Sequence, residues 1–293
     1  MRLLRLLAVV GLLGVTLGAC ARPPSSDHAS GPAARRDAMI TASTARMIPA
    51  RYEQAMPAAI FNHSTLAGRT LAVASTSDII LRPGEVVLTF DDGPRPGKTM
   101  AILDALDARG VKATFLMLGS AAKAHPELAR TVALRGHTVG SHTFDHVDLS
   151  KVSRQEAMDE VARGEEAVAR ALEGAGQGLS PFFRFPYLAQ SGFLRTSLQQ
   201  SDMIILDVDI DSKDYYKESA AAVSARTLAA LDARGSGVIL FHDIHQRTVD
   251  MLPDFLVELE ARGYSVVRLV PREPGVFGRS VITAEAENLR GAY

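Results

Sequence analysis

Apolar positions along this chain recur with two alternating periods. Short, nearly continuous apolar runs such as Val86-Val87-Leu88, Val238-Ile239-Leu240-Phe241 and Val266-Val267 read as buried strands, and the pattern predicts strands over 86–90, 113–118, 138–140, 203–209, 237–241 and 265–268. Between them the apolar residues fall three and four apart. Thr99 to Ala108 carries Ile102, Leu103 and Leu106 on one side, Pro126 suits the first position of a helix through Leu134, and Ser153 with Glu156 forms a capping box opening a helix to about Leu172. Two more helices are expected over Ala220 to Ala233 and Pro253 to Ala261.

Four junctions share one grammar, a helical pattern followed by Arg-Gly and then a β-rich run: Arg109-Gly110, Arg135-Gly136, Arg234-Gly235 and Arg262-Gly263. Glycine suits the left-handed position after a helix, and arginine suits the negative end of its dipole. Helix-to-strand junctions repeated in this way imply crossover units and a mostly parallel sheet. The period alone fits either a (β/α) barrel or an open doubly wound sheet. In both, the C-terminal ends of the strands carry the chemistry.

The flanks change the picture. Arg2 and Arg5 precede an apolar run from Leu6 to Leu17, too short for a comfortable membrane span and suited to a signal peptide over 1–19. Leu17-Gly18-Ala19-Cys20 resembles the bacterial lipobox, so Cys20, the one cysteine, is the expected lipidation site and the N-terminus of a lipoprotein anchored to a membrane outside the cytoplasm. Residues 20–84, rich in Ala, Ser, Thr, Pro and Arg, read as a largely disordered linker, although Leu71-Ala72-Val73 is apolar enough to dock on the domain. That leaves 85–293 as one domain. With 32 basic and 33 acidic residues the chain has no electrostatic footprint for nucleic acid. A monomer is expected.

Candidate chemistry sits at the ends of the expected strands. Thr89-Phe90-Asp91-Asp92-Gly93-Pro94 places two adjacent carboxylates at a strand exit, where one can hold a metal while the other faces a reacting water; the same residues also make a good turn. His142-Thr143-Phe144-Asp145-His146 supplies two imidazoles which, with one carboxylate and an open fourth position, form a catalytic zinc pattern. Phe182-Phe183-Arg184-Phe185-Pro186-Tyr187 embeds a guanidinium among aromatics, suited to holding a carboxylate ionised or to a structural ion pair. Asp207, Asp209, Asp211 and Asp214 follow the run Met203 to Leu206 without the spacing of an EF-hand. His242-Asp243 at the exit of Val238–Phe241 suits a general acid.

In this order, Thr-Phe-Asp-Asp-Gly, His-Thr-x-x-His, Arg-Phe-Pro-Tyr, Asp-Ser-x-Asp and Leu-x-His-Asp resemble the five motifs of the polysaccharide deacetylases, the NodB-homology domains of carbohydrate esterase family 4, over about residues 85–270. The resemblance implies a distorted (β/α) barrel and metal-dependent removal of N-acetyl groups from an amino-sugar polysaccharide such as peptidoglycan, chitin or poly-N-acetylglucosamine. It makes Asp91 the base, Asp92, His142 and His146 the metal ligands, Arg184 the partner of Asp91, and His242 the acid. It assigns the Tyr187 N–H to the oxyanion, Leu240 to the pocket for the acetyl methyl group, and Asp214 to His242, with Asp211 close enough to compete. Tyr215 stands where the family usually has Trp. Zinc is the expected metal, with cobalt or nickel also compatible with two His and one Asp. An O-acetyl esterase acting on a polymer such as acetylxylan, or an inactive sugar-binding lipoprotein, uses the same scaffold.

Overall fold

In the computed structural model, which describes residues 65–272, strand β2 (Glu85–Asp91) is buried along its whole length and organises the sheet. Its neighbours are β8 (Gly237–His242), β3 (Thr114–Met117) and, at its start, β9 (Ser265–Pro271), all parallel to it. The sheet continues from β3 through β4 (Thr138–Ser141) and β5 (Phe182–Phe183) to β6 (Ile204–Ile205). On the other side β8 pairs with β7 (Ile210–Asp211), and β9 pairs with β1 (Ala67–Val73). The result is a curled, parallel half-barrel of nine strands among the described residues, the distorted barrel that the resemblance implied.

Period two along β2 divides the core. Val86, Leu88 and Phe90 enter an apolar cluster shared with the helices, where Phe90 stacks on Phe115 at 5.1 Å and on Phe241 at 5.8 Å. Val87 joins Phe182, Leu206, Val238 and Val267 inside the curl. Thr89 and Asp91 share the Val87 face, so the strand delivers a carboxylate to the interior of the curl at its C-terminal end.

The helical expectations hold for α1 (Thr99–Ala108), α3 (Pro126–Leu134), α4 (Arg154–Ala171) and α6 (Ala220–Arg234). Ile102, Leu103 and Leu106 of α1 are fully buried, and burial of each stabilises the fold by roughly 1.5–3 kcal/mol. The capping box forms as expected: Glu156 N donates to Ser153 Oγ at 3.2 Å, and Ser153 N to Glu156 Oε2 at 2.9 Å. All four glycines of the Arg-Gly junctions have φ between 65° and 85°.

The structure departs from expectation in five places, the first being β5, which no expected strand covered. β1 lies inside the stretch read as linker, because its backbone pairs with β9 and Val73 is buried; the sheet therefore begins before residue 85. Two short helices, α2 (Gly119–Ala124) and α5 (Gly192–Gln200), were not anticipated. The single strand expected over 203–209 shortens to β6, and β7 follows just beyond that range; at Leu206 the carbonyl accepts from Arg184 Nε at 2.9 Å instead of continuing a ladder. Finally, α7 (Gln246–Ala261) starts a full turn and more before Pro253, which sits on the exposed side. Burial of Thr248, Met251, Leu252, Phe255, Leu256 and Leu259 outweighs the hydrogen bond that proline removes, a loss of ~3 kcal/mol. The expected signal peptide, Cys20 and residues 20–64 lie outside the described residues, as does the chain beyond 272. No helix among the described residues is long and apolar enough to cross a membrane.

Candidate active site

The C-terminal ends of β2, β4, β5 and β8 meet at one mouth of the curl. Asp91 lies in register with His242 on β8, Ser141 at the end of β4 with Phe183 of β5, and so Asp91, His142, Arg184 and His242 leave the sheet side by side. They line, or lie beneath, a cavity of about 400 Å³ that also takes in Asp92, His146, Tyr187, Tyr215, Leu240 and His245.

Arg184 is 1 % exposed and Asp91 2 % exposed. The Arg184 Nη1 donates to Asp91 Oδ1 at 2.7 Å and to Thr89 Oγ1 at 2.8 Å. A buried carboxylate without such a partner would be strongly unfavourable, so the arginine both permits the charge and fixes its direction. Phe182, Phe183 and Phe185, the embedding aromatics seen in the sequence, are buried as well.

Beside it, Asp92 Oδ1 lies 3.5 Å from His142 Nε2 and 3.4 Å from His146 Nε2. That oxygen is buried and has no hydrogen-bond partner, the signature of an atom awaiting a ligand. His142 Nδ1 donates to the Arg184 carbonyl at 2.7 Å, which leaves Nε2 as the lone-pair nitrogen facing Asp92. Burial holds His146 below the usual imidazole range despite Asp92 nearby, so this ring is neutral and able to ligate. Two imidazoles, an unpartnered carboxylate oxygen and open space beyond them fit a divalent metal.

Across the cavity, His242 Nδ1 donates to Asp214 Oδ1 at 2.7 Å, and Asp214 Oδ2 accepts from His242 N at 2.8 Å and Thr248 Oγ1 at 2.6 Å. Burial alone would lower the His242 value, but the bond and charge of Asp214 overcome it and push the imidazole up to about 9. Burial likewise opposes the charge on Asp214, and the His242 contacts hold it below the usual range regardless. Asp214, rather than Asp211, is therefore the acid paired with His242. Asp211 accepts from the Tyr215 hydroxyl at 2.9 Å, and Tyr215 stands edge-on to His242 with ring centres 5.6 Å apart. Asp207 pairs with Arg195, and Asp209 pairs with Arg234 and caps Val238 N. Those two acids serve the rim of the fold.

The loop bearing His142 and His146 is not helical. Thr143 and His146 have φ of 67° and 59°, and Asp92, Tyr187 and Leu188 are also left-handed, so four of the seven non-glycine residues with positive φ among the described residues line this cavity and Thr143 adjoins the ligand His142. Each costs on the order of 1 kcal/mol, and such strain persists where surrounding contacts over-determine it. Helix α4 supplies those contacts, and nothing in its sequence pattern announced them. Glu160 Oε2 accepts from Asp145 N at 2.9 Å, Glu165 bonds Ser141, and the Arg163 guanidinium lies 4.0 Å over the Phe144 ring. Gly164 passes so close to Thr143 that a Cβ there would lie 2.5 Å from its carbonyl carbon.

Tyr187 is 67 % exposed and stands 4.5 Å from His146, edge to face. Leu240, in the floor of the cavity, is buried. His245, unmarked by the sequence reading, lines the same cavity 5.6 Å from His242. Every expected site residue except Cys20 is thus drawn to this mouth.

Comparison with known proteins adds the following. A family model described as polysaccharide deacetylase matches residues 79–204. A peptidoglycan-N-acetylglucosamine deacetylase of Listeria monocytogenes is 33 % identical over 184 residues, 63 % of this chain and 38 % of that protein, so the chain spans less than half of this relative's length. A chitin deacetylase of Colletotrichum lindemuthianum is 33 % identical over 219 residues, 70 % of this chain and 86 % of the relative. Among solved structures, a peptidoglycan deacetylase of Bdellovibrio bacteriovorus superposes with a TM-score of 0.62 at 36 % identity, covering 74 % of this chain and 59 % of that one.

Proposed function

The chain belongs to the polysaccharide deacetylase family, and from that premise we propose that it is a metal-dependent hydrolase that removes N-acetyl groups from an N-acetylglucosamine-containing polysaccharide, releasing acetate. The observation that carries the reading is the pairing of two opposed devices in one cavity: Asp91 locked to Arg184 beside the Asp92–His142–His146 cluster, and His242 locked to Asp214 on the facing wall.

Asp92, His142 and His146 would hold the metal, zinc by its preference for this donor set, and when bound it supplies Lewis-acid polarisation and a lowered pKa for water. Asp91, oriented by Arg184, accepts a proton from the water that attacks the acetyl carbonyl. The Tyr187 N–H faces the oxyanion, and Leu240 backs the methyl group while Tyr215 walls the pocket. His242, kept protonated by Asp214, gives its proton to the departing nitrogen as the carbon–nitrogen bond breaks. One amide and one water become acetate and a free amine, and the polymer gains positive charge at neutral pH. The lipobox at Cys20 supports a lipid-anchored protein of the bacterial envelope, facing such polymers outside the cytoplasm.

Acetate release from N-acetylglucosamine oligomers, set against release from acetylated xylan, tests the reading. Release from the oligomers alone, or far faster, is expected. Release confined to the xylan would transfer the site to ester chemistry, and saccharide binding without release from either would leave a sugar-binding protein.

A further inference from the structure

The metal-loop residues Asp92 and His146 have a second open face. Besides the 400 Å³ cavity, they line a cleft of about 390 Å³ that also takes in the turn after β2 and helix α2. Its lining includes the small residues Ser120, Ala121 and Ala124, together with Arg95 and His125. The two spaces meet at the same pair of side chains, so a linear polymer with one residue in the first can place a neighbouring residue in the second.

Charge differs sharply between the two sides. The reacting cavity is lined by Asp91, Asp92 and Asp211. Among the described residues lining the second cleft, Asp92 is the sole carboxylate, and it belongs to the metal cluster. Arg95 is exposed and its guanidinium has no hydrogen bond or ion pair among the described residues. Arg109, Arg135, Arg195 and Arg226, by contrast, each hold a carboxylate. Its backbone is nevertheless pinned: Arg95 N donates to Thr99 Oγ1 at 2.7 Å, and its carbonyl accepts from Lys98 N and Thr99 N at 3.1 and 3.0 Å. A free cationic head on a fixed base, at the rim of a sugar-sized cleft, is suited to reading an anion.

We propose that this cleft is a second saccharide subsite in which Arg95 selects a carboxylate substituent on the sugar next to the one being deacetylated. The proposal rests on the deacetylase reading and adds to it a preference for acid-bearing amino-sugar polymers over neutral ones. His125, at the junction of α2 and α3, is placed to add a hydrogen bond to the same substituent.

The test uses the metal-replete full chain and two matched probes: an N-acetylglucosamine oligomer carrying a 3-O-lactyl carboxylate on alternate residues, and the same oligomer with each carboxylate converted to its methyl amide. Wild-type protein is expected to favour the acid through KM by about fivefold, as befits one exposed charge-assisted contact. The preference should shrink with added salt. Arg95→Gln should bring the acid-to-amide ratio of kcat/KM to about one, and Arg95→Lys should retain part of it. Equal handling of acid and amide by wild-type protein, or a fall with both probes alike in Arg95→Gln, overturns the proposal while leaving the deacetylase reading intact. Calorimetric binding of both probes to Asp91→Asn protein separates the two failures. Tighter binding of the acid that is lost with Arg95→Gln upholds the subsite even where acetate release fails.

Discussion

Asp214→Asn perturbs the facing wall with little change of shape. Asp214 is fully buried and its carboxylate holds three donors, two of them from His242. It lifts His242 from 6.5 to about 9 against burial, a net preference for the imidazolium of roughly 3 kcal/mol. The amide removes the largest favourable contribution and leaves the burial that opposes it, with only the more distant Asp91 and Asp92 still favouring the imidazolium, so the His242 value should fall well below 9. Near pH 7 the protonated fraction then drops, and kcat/KM on N-acetylglucosamine oligomers should fall with it. The diagnostic is the shape of the profile: the alkaline limb, measured by acetate release with metal content matched, should move acidward by about one pH unit or more. Stability should respond with a definite sign. His242 has a folded value above its unfolded one, so its contribution is complete below about pH 6.5 and is lost as pH rises through about 9. The wild-type Tm should therefore sag between pH 7 and 9.5, and the variant should sag less. An alkaline limb that stays in place in Asp214→Asn would refute the assignment of His242 as the acid tuned by this carboxylate.

Three further outcomes are expected. Asp91→Asn should keep its metal, by elemental analysis, while losing turnover by about 10²–10⁴-fold; loss of metal with activity would move Asp91 into the ligand set. Gly164→Ala should weaken metal binding by roughly tenfold or more in competition with a chelator, because its methyl presses on Thr143 in the loop between the two imidazoles. An unchanged metal affinity would show that the loop does not depend on α4. Cys20→Ala should shift the protein from the membrane fraction to the soluble one, and an unaltered distribution would remove the lipid anchor.

The parts of the site legible in the sequence were those in which chemistry and topology coincide. Asp91, Arg184 and His242 each follow apolar residues and His142 follows a predicted strand, and in a parallel sheet that position fixes their neighbourhood. The family resemblance assigned Asp214 to His242, but spacing alone left Asp211 in competition, because the choice turns on which acid reaches His242 after β7. The role of α4 was not legible: Glu160, Gly164 and Glu165 read as ordinary members of an amphipathic helix, and their work on the metal loop depends on a contact between distant segments. In the fold, long buried strands and capped helices could be read off, while β5, two residues long, offered no period to detect. β1 was obscured by its alternately exposed sequence at a sheet edge, and α7 by a proline that tertiary burial overrides.

The central claim is hydrolysis of an amide rather than an ester, and it is tested most directly by counting both products of one reaction. Zinc-loaded protein acting on N-acetylglucosamine oligomers should release one free amine for each acetate, and chelator-stripped protein should release neither until metal is restored. Acetate released without matching amine, or equal release with and without metal, would contradict it.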